Sequence, residues 1–247
     1  MHDRLKRAVV LMLFFSMTVS SKEKDSSSML IDAPNLKKIL NQKNVRILDT
    51  RSAADYAKGH VPRALHVDVS EWKTLAFSPR GFYNAKAWQQ KLSRLGINRA
   101  SQVIVYCYAP TSTARIWWLL KYLGFENASI LDGGWAWWIK SKGAITRAVL
   151  RVKPTDIEVR FQSDRLMEIG ELKKQLKSDK LKLIDTRSTG EHTGKVKRGP
   201  RGGHIPGSTH LEWKELLADD GRYKSKAQLR ALFKKKGIQP DDSAVCY

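Results

Sequence analysis

Ile47-Leu48-Asp49-Thr50-Arg51-Ser52 returns further along the chain as Leu183-Ile184-Asp185-Thr186-Arg187-Ser188. Each copy is a short aliphatic run ending in an aspartate and a polar loop, the pattern of a strand buried in a parallel sheet. Working outward, Gly59-His60-Val61-Pro62 returns as Gly203-His204-Ile205-Pro206. Glu71-Trp72 returns as Glu212-Trp213 and Gly96-Ile97 as Gly237-Ile238, both pairs 141 positions apart. A repeat of that length means two homologous domains, because solenoid periods run about 20–50 residues.

Between the repeats, strand and helix alternate. A strand over 45–49 is followed by a helix capped by Asn84 and ended by Gly96. A strand over 103–106, a helix over 111–123, a strand over 129–131 and a helix over 135–142 follow. The second copy offers a strand over 182–185, a helix over 226–236 with Ser225 and Gln228 at capping-box spacing, and a strand over 243–247. Alternation of this kind predicts an α/β chain, each domain built on a central, mostly parallel sheet flanked by helices. The first domain is expected over 30–146, an interdomain connection over 147–164, and a second, incomplete domain over 165–247.

The 247 residues carry 45 Lys+Arg against 24 Asp+Glu, a net charge of +21. Such a surface favours anions. The basic residues are scattered, with knots at 195–201 and 234–236, and no helix-turn-helix, zinc-finger or stacking-aromatic pattern accompanies them. A specific nucleic-acid partner is therefore not expected. With 42% hydrophobic residues and eight tryptophans the chain is not a disordered one. Arg4, Lys6 and Arg7 precede a 12-residue apolar run over 8–19, and Thr18, Ser20 and Ser21 supply small residues for cleavage. This reads as an export signal over 1–21, followed by a polar spacer over 22–29. The run is short for a membrane span, which needs about 20 residues. A periplasmic or extracellular protein, with no stable membrane insertion after processing, is expected.

The Asp-Thr-Arg-Ser loops, the Gly-His-x-Pro turns, the strand ending Val105-Tyr106-Cys107, and Leu131-Asp132-Gly133-Gly134-Trp135 together resemble the rhodanese sulfurtransferases. The chain closely resembles their tandem-domain thiosulfate and 3-mercaptopyruvate type, and the likeness runs from residue 30 onward. The resemblance implies transfer of a sulfane sulfur from a small anionic donor, through a cysteine persulfide, to a thiol or cyanide-like acceptor. No metal and no organic cofactor are implied. In that family the second domain usually holds the catalytic cysteine and the first is a degenerate copy. One repeat beyond Cys107 is position 248, past Tyr247. The chain is thus expected to be a fragment or a truncated product, with a cysteine next in any longer reading frame.

Cys107 is the candidate nucleophile within the chain. A cysteine at a strand end, directly before a helix, faces backbone N–H dipoles that favour anionic sulfur over a reference thiol of pKa about 8.5. Its loop departs from the family pattern. Seven residues separate Cys107 from Arg115, where active loops of the family usually hold four and cysteine phosphatases five. Two readings stay open: an inert thiol at a former active site, or a working one. Cys246 falls one repeat from Val105 and is expected to be a small buried strand residue. Arg187 and Arg201 are the candidate donor-anion contacts, on the resemblance. The alternatives are an Arg187–Asp185 pair and a solvated basic loop around Arg201. His60 and His204 are expected to fix their turns, and Trp117, Trp118, Trp135, Trp137 and Trp138 to pack the core and the domain interface.

The signal layout makes a direct prediction. Mass spectrometry of the soluble extracytoplasmic fraction should find an N-terminus near Ser21 or Lys22; intact Met1 recovered only from cytosol would refute it.

Overall fold

The computed structural model describes residues 29–176 and 181–247. The expected leader and all of the spacer except Met29 lie outside these residues. The Met29 carbonyl, just ahead of the first strand, accepts the Ile130 N–H at 2.8 Å.

The first unit opens with β1 (Leu30–Ile31), α1 (Ala33–Ile39), β2 (Val45–Asp49) and α2 (Ala53–Lys58). It continues through β3 (Ala64–His66), α3 (Val69–Phe77) and α4 (Ala85–Arg94), which Asn84 caps by accepting from Ala87 N–H. It closes with β4 (Gln102–Tyr106), α5 (Pro110–Tyr122), β5 (Ala128–Leu131) and α6 (Gly134–Lys140). The five strands form an all-parallel sheet in the order β1-β5-β4-β2-β3.

Side-chain alternation along the central strands divides the core in two. Leu48, Val103 and Val105 face a layer with Trp72, Trp88, Leu92, Ile116 and Leu119 from α3, α4 and α5. Val45, Ile47, Ile104 and Tyr106 face Leu36, Tyr56 and Trp138 from α1, α2 and α6. With helices on both faces, these strands read as continuous aliphatic runs, as the sequence suggested. The register sets Asp49 beside Tyr106, so the polar loops after β2 and β4 emerge side by side.

The segment expected as a connection has no regular structure over 147–162, yet it is packed. Ile157 and Val159 are buried in the first unit's core, with Leu150 and Val152 against it. The carbonyls of Leu123 and Tyr122 accept from Arg160 and Gln162 N–H.

The second unit comprises α7 (Ile169–Gln175), β6 (Leu181–Asp185), α8 (Thr189–His192), β7 (Thr209–His210), α9 (Lys226–Lys235) and β8 (Ser243–Cys246). Its sheet is parallel, in the order β7-β6-β8. The Ser225–Gln228 capping box is present on α9. The core is small: Ile184, Leu211 and Ile238, with Leu216, Leu232 and Phe233 against them.

Cys246 corrects an expectation. It occupies the strand position that the repeat assigns, but it is exposed rather than buried. Its counterpart Val105 is covered by α5, whereas Cys246 lines a cavity of about 720 Å³ with Trp118, Arg165, Leu166 and Leu181. Protein around that recess still desolvates the sulfur and raises the thiol pKa.

The units touch elsewhere as well. Tyr223 N–H donates to Asp132 Oδ1 at 2.9 Å, Arg222 lies 4.2 Å over the Trp137 ring, and Tyr83 Oη donates to Glu168. Among the described residues no helix is long and apolar enough to cross a membrane.

Candidate active site

The residues after β2 and β6 build the same device twice. In the first unit Arg51 grips Asp49 through Nε at 3.0 Å and Nη2 at 2.6 Å, and Nη2 also donates to the Gly59 carbonyl at 2.7 Å. In the second, Arg187 grips Asp185 at 2.9 and 2.7 Å and reaches the Gly203 carbonyl at 2.9 Å. Thr50 and Thr186 each turn their N–H and hydroxyl to the carbonyl of Tyr106 or Tyr247. Those tyrosines in turn accept the N–H of Val61 or Ile205, the residue after the histidine of each Gly-His-x-Pro turn. His66 and His210 close the device on the carbonyls of Arg51 and Arg187.

The electrostatics differ between the copies. Burial disfavours the Arg51 charge, but the hydrogen bond and the charge of Asp49 outweigh it and raise the guanidinium pKa. The ring of Trp135 stacks 3.8 Å from the same group. Burial also pushes the Tyr106 phenol well above its usual range, and it donates to Asp49. In the second unit His192 takes that place, its Nδ1 2.9 Å from Asp185 Oδ2. Burial opposes ionisation of Asp185, yet hydrogen bonds from Arg187 and His192 hold its pKa far below the usual carboxylate range. His192 stacks between His204 and His210, with ring centroids 3.9 and 4.4 Å away. His60 bridges the carbonyls of Tyr56 and Ala148, while His204 meets the carbonyl of His192. Both histidines thus fix turns.

Cys107 follows β4 at the carboxyl edge of the sheet, ahead of α5. It is buried, and its thiol donates to the Thr50 carbonyl at 3.4 Å. Pro110 occupies the first turn of α5 and removes one of the N–H groups that a helix N-terminus offers. A cavity of about 30 Å³, room for little more than a water molecule, lies against the cysteine. Tyr108, Pro110 and Thr113 form one wall and Gly133 and Gly134 another. Gly134 is required there: its φ is +55°, and a Cβ would stand 2.2 Å from the Cys107 carbonyl oxygen.

The sequence candidates do not converge. Arg115 is exposed on α5 and lines a separate recess with Lys73, Phe77 and Trp118. Arg187 and Arg201 do not line the Cys107 cavity. Arg187 is held by Asp185 and sits 5.1 Å from the Tyr247 ring; Arg201 is exposed and makes no ion pair among the described residues. Sequence reasoning missed the cavity's lid, Gly221 and Tyr223 of the second unit. Asp132 latches it through Tyr223 N–H, and desolvation raises the pKa of that carboxyl. The Leu-Asp-Gly-Gly motif marked Asp132, but a contact across 91 positions leaves no local signal. Among the described residues no group of three or more His, Cys, Asp or Glu side chains is placed to hold a metal ion.

Residues 32–141 and 168–247 match the rhodanese-like domain family. The chain belongs to that family. The two rhodanese-like units are 28% identical over 224 residues to the sulfur carrier protein TtuD of Thermus thermophilus, covering 84% of this chain and 78% of that one. They are also 28% identical over 214 residues to the thiosulfate sulfurtransferase of Bos taurus, covering 78% and 71%. The crystal structure of the Escherichia coli 3-mercaptopyruvate sulfotransferase SseA superposes with a TM-score of 0.74 at 23% identity, over 89% of this chain and 87% of that one. That likeness confirms the α/β fold.

The depressed Asp185 pKa gives the second rhodanese-like unit an acid-sensitive clamp. Its contribution is complete above the unfolded carboxylate value of about 3.9 and is lost as pH falls from there through the lower folded value. Thermal melts should show this unit weakening below about pH 4. Asp185→Asn should be less stable at neutral pH and flatter in acid; an unchanged acid slope would remove Asp185 from the account.

Proposed function

We propose that this rhodanese-like protein is a sulfurtransferase that moves a sulfane sulfur from a small anionic donor to a nucleophilic acceptor, with the persulfide on Cys107. The observation that carries the proposal is the position of this thiol: at the carboxyl end of a central parallel strand, before a helix N-terminus, beside a cavity that a loop of the second unit covers. The names of its relatives, among them thiosulfate and 3-mercaptopyruvate sulfurtransferases, support the same class of reaction.

The reaction needs no external oxidant. The Cys107 thiol loses its proton, and the thiolate attacks the outer sulfur of thiosulfate. A sulfur–sulfur bond forms to the cysteine while the bond to the sulfonate breaks, and sulfite leaves with that electron pair. With 3-mercaptopyruvate the bond broken is carbon–sulfur, and pyruvate takes the pair and a proton. An acceptor thiolate or cyanide then attacks the outer sulfur of the persulfide and returns the cysteine thiolate.

Two movements are required. The thiol must leave the Thr50 carbonyl, and the Gly221–Tyr223 lid must lift, because about 30 Å³ admits no donor anion. Of the two arginines expected to meet that anion, Arg201 is exposed and in no ion pair among the described residues, in a basic loop with Lys195, Lys197 and Arg198. Arg187 acts through Asp185 and shapes the second strand end. The expected leader over 1–21 supports a site of action outside the cytoplasm.

A specific observation favours a second reading, a non-catalytic module that binds anions or a partner protein. The sulfur's hydrogen bond runs to a carbonyl oxygen, and Pro110 thins the N–H cradle. Intact-mass measurement after thiosulfate exposure separates the two. The proposal predicts a gain of one sulfur atom, retained in Cys246→Ser and lost in Cys107→Ser. No gain in the parent, or a gain lost only in Cys246→Ser, would overturn it.

A further inference from the structure

The hairpin of the second unit that reaches Cys107 is stiff in itself. Leu217 and Tyr223 pair as an antiparallel bridge, and Ala218 N–H donates to the Arg222 carbonyl at 2.8 Å. Gly221, at φ +81°, closes the turn by donating its N–H to the Ala218 carbonyl at 3.0 Å. Asp220 holds Arg222 from within the same turn: Oδ1 accepts the backbone N–H at 3.1 Å and Oδ2 accepts Nε at 2.9 Å. Bonded in this way, residues 217–223 form one rigid piece.

Its hold on the first unit is lighter. Tyr223 N–H donates to Asp132 Oδ1 at 2.9 Å, and the Arg222 guanidinium lies 4.2 Å over the Trp137 ring. Gly133 permits the approach, since a Cβ there would stand 2.9 Å from Arg222 Cγ. Asp132, Trp137, Arg222 and Tyr223 are all part-exposed. One hydrogen bond and one cation–π contact between such residues can open without unfolding either unit.

The space between this hairpin and the cysteine is small and mostly apolar. Ile130, Leu131, Gly133 and Gly134 line it from the first unit, and Gly221 and Tyr223 from the second. About 30 Å³ holds a water molecule and little more. One divalent sulfur is of that order; a sulfonate or a pyruvate group is not. Unloaded, Cys107 Sγ donates its proton to the Thr50 carbonyl at 3.4 Å. A cysteine sulfur bonded to a second sulfur has no proton to donate, so loading releases the side chain from Thr50 and frees it to turn toward the cavity.

We propose that the 217–223 hairpin is a gate: closed, it holds one transferred sulfur on Cys107 and bars donor and acceptor alike, with Asp132 and Arg222 as its positioning residues. The identity of the held atom rests on the persulfide reading of Cys107, whereas the gate rests on the contacts between the units. Donor and acceptor reach the cysteine in turn while this contact is open, and the loaded state persists between the two visits.

The test uses the full chain with Cys246→Ser, which leaves Cys107 as its one thiol. Intact mass, without denaturant, follows two reactions: alkylation of the unloaded thiol by iodoacetamide, and loss of the sulfur to cyanide after thiosulfate treatment. Asp132→Ala should speed both about tenfold, the order of one lost hydrogen bond to a charged group, and Arg222→Ala about threefold. Asp132→Asn keeps an acceptor oxygen and should stay near the parent. The two alanine variants sit on opposite units, and a thermal melt matching the parent's shows that each is folded. Alkylation as fast in the parent as in both variants would overturn the gate, whether or not sulfur is gained. Faster alkylation of the variants in a protein that gains no sulfur would overturn the persulfide reading and leave the gate standing. Sulfur gained, but surrendered to cyanide at equal rates in parent and variants, would overturn the holding role.

Discussion

A carboxylate buried with a guanidinium at the carboxyl end of a parallel strand is the constraint on which both units depend. Asp49 and Arg51 are almost wholly withdrawn from solvent, and each would be costly to hold there alone. Together they satisfy one another through a fork, and the remaining Nη2 donor reaches the Gly59 carbonyl. Removing one partner from such a pair leaves an uncompensated buried charge, a loss of about 3–5 kcal/mol. Through that carbonyl the pair fixes the Gly-His-x-Pro turn, and the turn delivers β3 to the edge of β2. Asp185, Arg187 and Gly203 do the same for β7, with the guanidinium about one-third exposed.

The clamp also positions the proposed nucleophile. By holding Thr50 against Tyr106, it sets the residue after β4 beside the Thr50 carbonyl, and that residue is Cys107. The same geometry that places the thiol gives it a hydrogen-bond acceptor, so it rests as a donor. Gly221 and Tyr223 of the second unit line its cavity, and Tyr223 N–H is held by Asp132. Under the proposed function, access to Cys107 is coupled to the contact between units, and the clamp arginines are engaged with Asp49 and Asp185.

Much of this was legible in the sequence because it is local or repeated. The aliphatic runs over 45–49 and 182–185 mark buried strands, and Asn84, Ser225 and the glycines after the helices mark their ends. Set against the family resemblance, the Cys107–Arg115 spacing stood out in the sequence, and Arg115 lines another recess. What could not be read depends on contacts far apart in the chain. Nothing near Gly221–Tyr223 announces a lid over a cysteine more than a hundred positions earlier. Nothing in the irregular segment after Thr146 announces that Ile157 and Val159 belong to the first core. Cys246 was assigned to the right strand position, but its exposure depends on what covers β8, which strand pattern does not encode.

Native-state hydrogen exchange on Arg51→Lys and Arg187→Lys tests the clamp most directly. Lysine keeps the charge but cannot hold the carboxylate with two prongs while also reaching the turn carbonyl. The account predicts faster exchange, by about tenfold or more, at Val61 and Val67 in the first variant and at Ile205 and Leu211 in the second, with the rest of each sheet protected. Unchanged exchange at those amides, together with weaker donor binding, would contradict it and make the arginines substrate contacts.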